Sequence, residues 1–260
     1  MITSRLATTL LMSAGLALAS HGVGSSATRT AKPAAATRSS RDVQPESVAA
    51  LRAMSAYLRS LPAFEVRAAT VRDEISEGGQ KLQFTGQNTY QLRKPDGFMV
   101  EMAEDRTVRQ LYYDGRSLTL YAPRDGFYAH VPAPPTVRDT MEAIYDRYGI
   151  EVPLADLFRW GQGDDGTADL TSGYRVGYAR VDGVDADQYA FRQRGVDWQI
   201  WIARGDKPLP LRVVVTDTSD RTEPQFEATL TWNVAPKFAA NAFVFQPPKD
   251  SKAISIASVK

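Results

Sequence analysis

The chain contains no cysteine. That excludes disulfides, thiolate metal sites, cysteine nucleophiles and a lipid-modified N-terminal cysteine. Histidine is almost as scarce, with two in 260 residues. His21 lies near the N-terminus, so His130 is the only histidine left for a folded domain, and neither a multi-histidine zinc site nor an H-E-x-x-H motif exists. There is no G-x-S-x-G elbow for a serine nucleophile; Gly115-Arg116-Ser117 fails the pattern and sits in an expected hairpin. A phosphate-binding G-x-x-x-x-G-K-[ST] loop is also missing. The run Gly161-Gln162-Gly163-Asp164-Asp165-Gly166 spells G-x-G-x-x-G but follows a helix pattern instead of a strand, and its two aspartates would repel a pyrophosphate. It reads as a polar loop. Asp182, Asp185 and Asp187 lack the spacing and closing glutamate of a calcium loop and read as solvated turn acids. No cofactor or metal is expected. A hydrolase with dispersed carboxylates remains a third reading, because an acid pair need not be close in sequence.

A strong charge of either sign is missing too: the formal net charge is +1. Five bases (Arg5, Arg29, Lys32, Arg38, Arg41) and one acid (Asp42) fall in residues 1–44. Removing them from 31 basic and 30 acidic residues leaves 26 against 29, a net of −3 for the remainder. Such a domain has no bulk attraction for phosphate backbones, so nucleic-acid binding is not expected.

The N-terminus has the form of an export signal. Arg5 precedes a mostly apolar run from Leu6 to Leu18, and Ala17-Leu18-Ala19 offers the small-x-small pattern of a cleavage site. The run falls short of the about 20 apolar residues that span a bilayer. The sequence therefore predicts a signal peptide over 1–19, a periplasmic destination and no permanent membrane span after cleavage. Residues 20–44, rich in Ser, Ala, Thr and Gly, read as a disordered linker. The folded domain is expected over 45–250, with a tail at 251–260.

Within the domain, Pro45-Glu46-Ser47 opens a helix whose apolar stripe is Val48, Leu51, Met54, Leu58 and Leu61, with Pro62 as its stop. The period then changes from helical to two. Strands are expected from Phe64 to Ile75, Leu82 to Leu92, Phe98 to Met102, Val108 to Tyr113, Ser117 to Tyr121 and Gly126 to Val131. Turns at Gly78-Gly79, Pro95-Asp96-Gly97, Asp114-Gly115 and Asp125-Gly126 join them into a meander. Val137, Met141, Ile144 and Tyr148 mark a second helix, and Pro153 starts a third, short one carrying Leu154, Leu157 and Phe158. Strands resume at Tyr174 to Val181, Asp187 to Arg192, Asp197 to Ala203, Leu209 to Asp217, Gln225 to Asn233 and Ala242 to Phe245.

The strands carry more apolar surface than one helix hides. Trp198, Ile200 and Ile202 face one way and Trp201 the other; Val213-Val214-Val215 is apolar on both sides; Phe226, Ala228, Leu230 and Trp232 alternate. Either a second layer packs there, or a curved sheet encloses a cavity.

The order of elements resembles the lipoprotein-carrier fold of LolA and LolB. Tyr112-Tyr113-Asp114-Gly115-Arg116-Ser117-Leu118-Thr119-Leu120-Tyr121-Ala122-Pro123 is similar to that family's D-G-x-x-L-x-x-Y-x-P hairpin. Trp198 to Ala203 followed by Leu209-Pro210-Leu211-Arg212, and the closing Asn241-Ala242-Phe243-Val244-Phe245-Gln246-Pro247-Pro248, are similar to its later strands. The stretch Tyr148-Gly149-Ile150-Glu151-Val152-Pro153-Leu154-Ala155-Asp156-Leu157-Phe158-Arg159-Trp160 resembles the hallmark of a family of predicted periplasmic proteins of unknown function, domain-of-unknown-function family 2092. The resemblance implies an α+β, mostly antiparallel fold: a curved, incomplete β-barrel wrapped around an N-terminal helix, with short lid helices over an apolar cavity that in the carriers holds acyl chains. Arg67, Arg72 and Arg93 are the candidates for the carriers' functional arginine.

The expected function is a non-enzymatic binding or carrier protein for a lipid, lipoprotein or other hydrophobic ligand. Burying an acyl chain contributes about 0.8 kcal/mol per methylene, so affinity needs no covalent chemistry. The candidate lining is Phe98, Met102, Leu120, Met141, Ile144, Leu157, Phe158, Trp198, Ile200 and Trp232. The alternative is an envelope protein-interaction or stress-sensor module without a bound ligand.

Overall fold

A computed structural model describes residues 42–150, 152–155 and 167–258. The expected signal peptide, most of the expected linker, the loop at 161–166, and Leu157 and Phe158 lie outside the described residues.

The chain begins with helix α1 (Pro45–Ser60), then six strands: β1 (Ala63–Ile75), β2 (Lys81–Arg93), β3 (Gly97–Glu104), β4 (Val108–Tyr113), β5 (Ser117–Ala122) and β6 (Phe127–Pro132). Helix α2 (Val137–Tyr148) leads to β7 (Ser172–Val181), β8 (Val184–Gln193), β9 (Val196–Ala203), β10 (Pro210–Asp217), β11 (Gln225–Asn233) and the two-residue β12 (Lys252–Ala253). All twelve strands form one sheet in the order β12-β6-β5-β4-β3-β2-β1-β11-β10-β9-β8-β7. Two meanders are thus joined where β11 returns beside β1, with Val66 opposite Trp232 and Ala68 opposite Leu230. Every pairing is antiparallel except β12 on β6. The sheet is open, not closed into a barrel: β12 and β7 are its two edges.

Residues directly opposite in an antiparallel pair share a face, so the register assigns the inner face without ambiguity. One row runs Trp198–Val215–Phe226 across β9, β10 and β11. Another runs Trp232–Val66–Tyr90–Val100–Leu111–Leu120–Ala129 from β11 across to β6. The buried residues of these rows up to Leu111 form one cluster with Leu51, Met54 and Leu58 of α1, and Leu120, Phe226 and Trp232 pack against it half-buried. Each fully buried side chain of this size contributes about 1.5–3 kcal/mol.

Helix α1 starts where Pro45 needs no hydrogen-bond partner for its nitrogen, with Glu46 in the first turn. At its other end Lys94 Nζ donates to the carbonyls of Leu58 (2.8 Å) and Arg59 (3.0 Å), satisfying acceptors that the helix leaves open. Burial holds the Lys94 ammonium below its ordinary pKa, with Arg59 adding to the effect. Small residues let α1 approach β7: a Cβ on Gly173 would lie 2.9 Å from Phe191 and 3.0 Å from Ser47 Oγ. The chain just ahead of α1 joins the same strand, with Val43 bridging Gly173 in parallel and Gln44 N donating to Gly173 O at 2.8 Å. Order therefore reaches into residues expected to be linker.

Two expectations about local structure need correction. The strand expected at Ala242 to Phe245 is a turn. Its alternating phenylalanines go to separate places: Phe243 is buried against Gly97 and Phe238, while Phe245 lies 5.2–5.4 Å from the rings of Tyr112, Tyr121 and Tyr128 on the outer face. Two phenylalanines covered at neighbouring spots of the sheet mimic strand alternation without any strand pairing. The strand that does close this end, β12, comes later, in the expected tail. The helix expected to start at Pro153 is, in its described part, a turn over Pro153–Ala155 with Leu154 at φ 56°.

Candidate functional site

Eight of the ten candidate lining residues meet in the larger of two core clusters. Phe98, Met102, Met141, Ile144, Trp198 and Ile200 are buried in it, and Leu120 and Trp232 pack against it half-buried. Leu157 and Phe158 lie outside the described residues. Phe98 stacks obliquely on Tyr113 (centroids 5.1 Å), Trp198 on Phe191 (4.3 Å), and Trp232 on Phe64 (5.3 Å) while donating from Nε1 to Pro210 O at 2.6 Å.

The segment between β6 and β7 covers part of this surface. Thr136 caps α2 by accepting from Asp139 N at 3.2 Å, and Val137, Met141 and Ile144 face the core. Val152 and Leu154 follow into the same cluster. Polar ties fix the cover from below. Tyr113 Oη donates to Pro134 O (2.6 Å), Tyr90 Oη to Pro153 O (2.8 Å), and Val137 N to Pro95 O (3.1 Å). Burial pushes the Tyr90 phenol well above its ordinary pKa, so it stays a donor.

Three buried polar atoms inside this apolar region have no hydrogen-bond partner among the described residues: Ser55 Oγ, Trp198 Nε1 and Asn88 Oδ1. Asn88 sits opposite Ala68 and Met102 in an inner row, and its Nδ2 donates to Tyr90 Oη at 3.3 Å. An unmade buried hydrogen bond costs about 1–3 kcal/mol, so each atom favours an arrangement that supplies a partner.

Sequence patterning missed a polarity gradient along the inner rows. On β1 the inward residues read Phe64, Val66, Ala68, Thr70, Arg72, Glu74; on β2, from the same end, Leu92, Tyr90, Asn88, Gly86, Phe84. On β3 they read Phe98, Val100, Met102, Glu104, and on β4 Tyr113, Leu111, Arg109. Each row is apolar at one end, and on β1, β3 and β4 the other end is charged. At the charged end lies a cleft of about 210 Å³ lined by Arg72, Glu74, Phe84, Glu104, Asp105, Arg106, Thr107 and Arg109. Arg72 forks onto Glu104 (Nε–Oε1 3.3 Å, Nη2–Oε2 3.1 Å) and reaches Glu74 through Nη1 (3.2 Å). Burial lowers the Arg72 pKa, but the bonds and charges of Glu104 and Glu74 outweigh it and raise the group above its ordinary value. Of the three arginines singled out from the resemblance, only Arg72 is on the inner face. Arg67 pairs with Glu65, and Arg93 lies over the Phe243 ring (4.9 Å) beside Asp96. The signal lay in the register, because Arg72, Phe84, Glu104 and Arg109 become neighbours only once the strands pair.

His130 is exposed, with Nδ1 2.9 Å from Thr119 Oγ1. Asp187 is held by Arg175 (2.6 Å) and Arg204 (3.5 Å), and Asp185 accepts from Tyr178 Oη (2.8 Å). Among the described residues no three His, Cys, Asp or Glu side chains are placed to hold a metal ion, and no helix is long and apolar enough to cross a membrane.

Several solved structures are similar to this chain. LprF from Mycobacterium bovis shares 14% identity at a TM-score of 0.47, covering 77% of this chain and 99% of its own. The MucA/MucB complex of Pseudomonas aeruginosa shares 16% at 0.42, covering 80% and 63%. A LolA superfamily protein from Nitrosomonas europaea shares 12% at 0.36, covering 76% and 97%. No curated protein matches the sequence. Residues 47–257, nearly the whole folded part, match the family described as predicted periplasmic protein (DUF2092), and the chain belongs to that family.

Proposed function

We propose that this chain is a periplasmic, non-enzymatic binding or carrier protein whose hydrophobic ligand lies on the inner face of the sheet, beneath the segment between β6 and β7. The observation that carries this reading is the joining of eight candidate residues from β3, β5, α2, β9 and β11 in one apolar cluster, with three orphaned polar atoms inside the apolar region. Among the described residues the cover is held by two tyrosine hydrogen bonds and the backbone bond of Val137 N to Pro95 O, with no backbone ladder, which suits a segment that opens. A guest chain replaces contacts between side chains and cover with contacts of the same kind, and gains the transfer free energy of its own methylenes.

Native mass spectrometry of protein purified from the periplasm tests the reading. A population carrying a discrete added mass, identified as lipid after denaturation, supports it. Bare protein that also fails to take up a fluorescent fatty acid overturns it.

One feature favours a second reading as an envelope protein-interaction module. Beyond Gly173, β7 has no strand neighbour on its outer side among the described residues, and it exposes Tyr174, Val176 and Tyr178. Such an edge accepts an extended segment of a partner. Bare protein that retains a periplasmic partner, and releases it when Val176 is replaced by Pro, supports this second reading against the first.

A further inference from the structure

We infer that the ligand is an amphiphile with an anionic head, and that the cleft around Arg106 and Arg109 receives the head while the apolar ends of the inner rows receive the chain. The inference rests on the binding reading above and names the ligand class for the same site.

The cleft residues adjoin the apolar rows along the strands: Arg109 is paired with Met102, the last apolar residue of its row, and Glu104 follows Met102 two residues on. Its carboxylates are already engaged. Glu104 and Glu74 are bound by Arg72, and Asp105 accepts from Thr85 N and Oγ1, both at 3.0 Å. Of its three cations Arg72 is spent on those carboxylates, and the other two are not engaged. Among the described residues neither Arg106 nor Arg109 forms an ion pair or a hydrogen bond; Arg106 lies over the Phe84 ring at 4.9 Å, with Arg72 5.2 Å from the same ring. Phe84 thereby fixes the position of a guanidinium whose donors remain unused. Phosphate and carboxylate both match the planar fork of arginine, and each binds it through short, charge-assisted hydrogen bonds.

The experiment is displacement of a neutral naphthylamine dye from the full mature chain by three ligands of one acyl length: lysophosphatidate, the free fatty acid and monoacylglycerol. Lysophosphatidate is expected to bind about tenfold more tightly than monoacylglycerol, the value of one good charge-assisted contact. The advantage shrinks as salt is raised. The fatty acid arm tells phosphate from carboxylate as the favoured head. In the double variant Arg106→Gln/Arg109→Gln the ratio falls to about one, whereas Arg109→Lys keeps part of it. Both positions are exposed, so these substitutions leave the fold intact. Equal affinity of the wild type for charged and neutral ligands, or an undiminished ratio in the double variant, overturns the head assignment and leaves hydrophobic binding standing. Failure of all three ligands to displace the dye overturns the binding reading itself. Inorganic phosphate competing as well as lysophosphatidate assigns the cleft to a soluble anion and overturns the inference.

Discussion

Tyr90 Oη donates to the carbonyl of Pro153 at 2.8 Å, tying the centre of β2 to the chain just beyond α2, 63 residues away. The donor is buried and its partner belongs to the cover, so this bond connects the stability of the interior with access to it.

Tyr90→Phe removes that tie while keeping the ring. A loss of about 1–3 kcal/mol in denaturant unfolding is expected from the unpaired carbonyl. Release of a bound fluorescent fatty acid, followed by stopped flow, should quicken severalfold. Unchanged release with lowered stability would show that the segment does not gate the interior.

The pair Leu157 and Phe158 carries the rest of the lid proposal. Leu157→Asp/Phe158→Asp is expected to abolish retention of a fluorescent fatty acid while the circular-dichroism spectrum stays that of the wild type. Retention at the wild-type level removes these two residues from the site.

Gly86 lies where the inner rows turn from apolar to charged. A Cβ there would stand 2.7 Å from Thr70 Oγ1 and 3.2 Å from Ala103 O, and the second neighbour is backbone. Gly86→Ala should cost about 1–3 kcal/mol as overpacking. Adding Thr70→Ala should recover part of the loss, since the nearer atom is then gone; a thermal melt of the single and double variants measures the coupling.

Asp114 gives the β4–β5 hairpin a pH dependence. Burial raises its carboxyl pKa, but bonds from the backbone N–H groups of Ser117 and Arg116 and from the Ser117 hydroxyl outweigh it and leave the group below the usual aspartate range. With the folded pKa depressed, the contribution is present above the unfolded value and is lost as pH falls through the folded one. Asp114→Asn should therefore destabilise the protein at neutral pH by about 1 kcal/mol, and the two melting temperatures should converge in strong acid. A gap that stays constant with pH would contradict this origin.

Much of the architecture was legible from short-range pattern. The apolar stripe of α1 was readable because its spacing of three and four matches one helix turn; the helix spans Pro45–Ser60 and buries Leu51, Met54 and Leu58. The strands β1 and β2 were readable because half-buried strands alternate, and each is found within a residue or so of its expected bounds. Ala242 to Phe245 misled because alternation records which side chains are covered, not what their backbone pairs with. Membership in the DUF2092 family rests on a match over residues 47–257.

The sequence by itself determined the class of the protein: a cysteine-free α+β domain whose strands carry more apolar surface than one helix covers. Tertiary structure alone decided how these parts meet. Pairing β11 with β1 makes one open sheet of two meanders, and the register sets Arg72, Phe84, Glu104 and Arg109 side by side at one end of the inner face. The reason is geometric. A chain's periodicity fixes which face a residue occupies, but neighbours across strands are set by the hydrogen-bond register, and shifting one strand by a single residue would have turned its whole row outward.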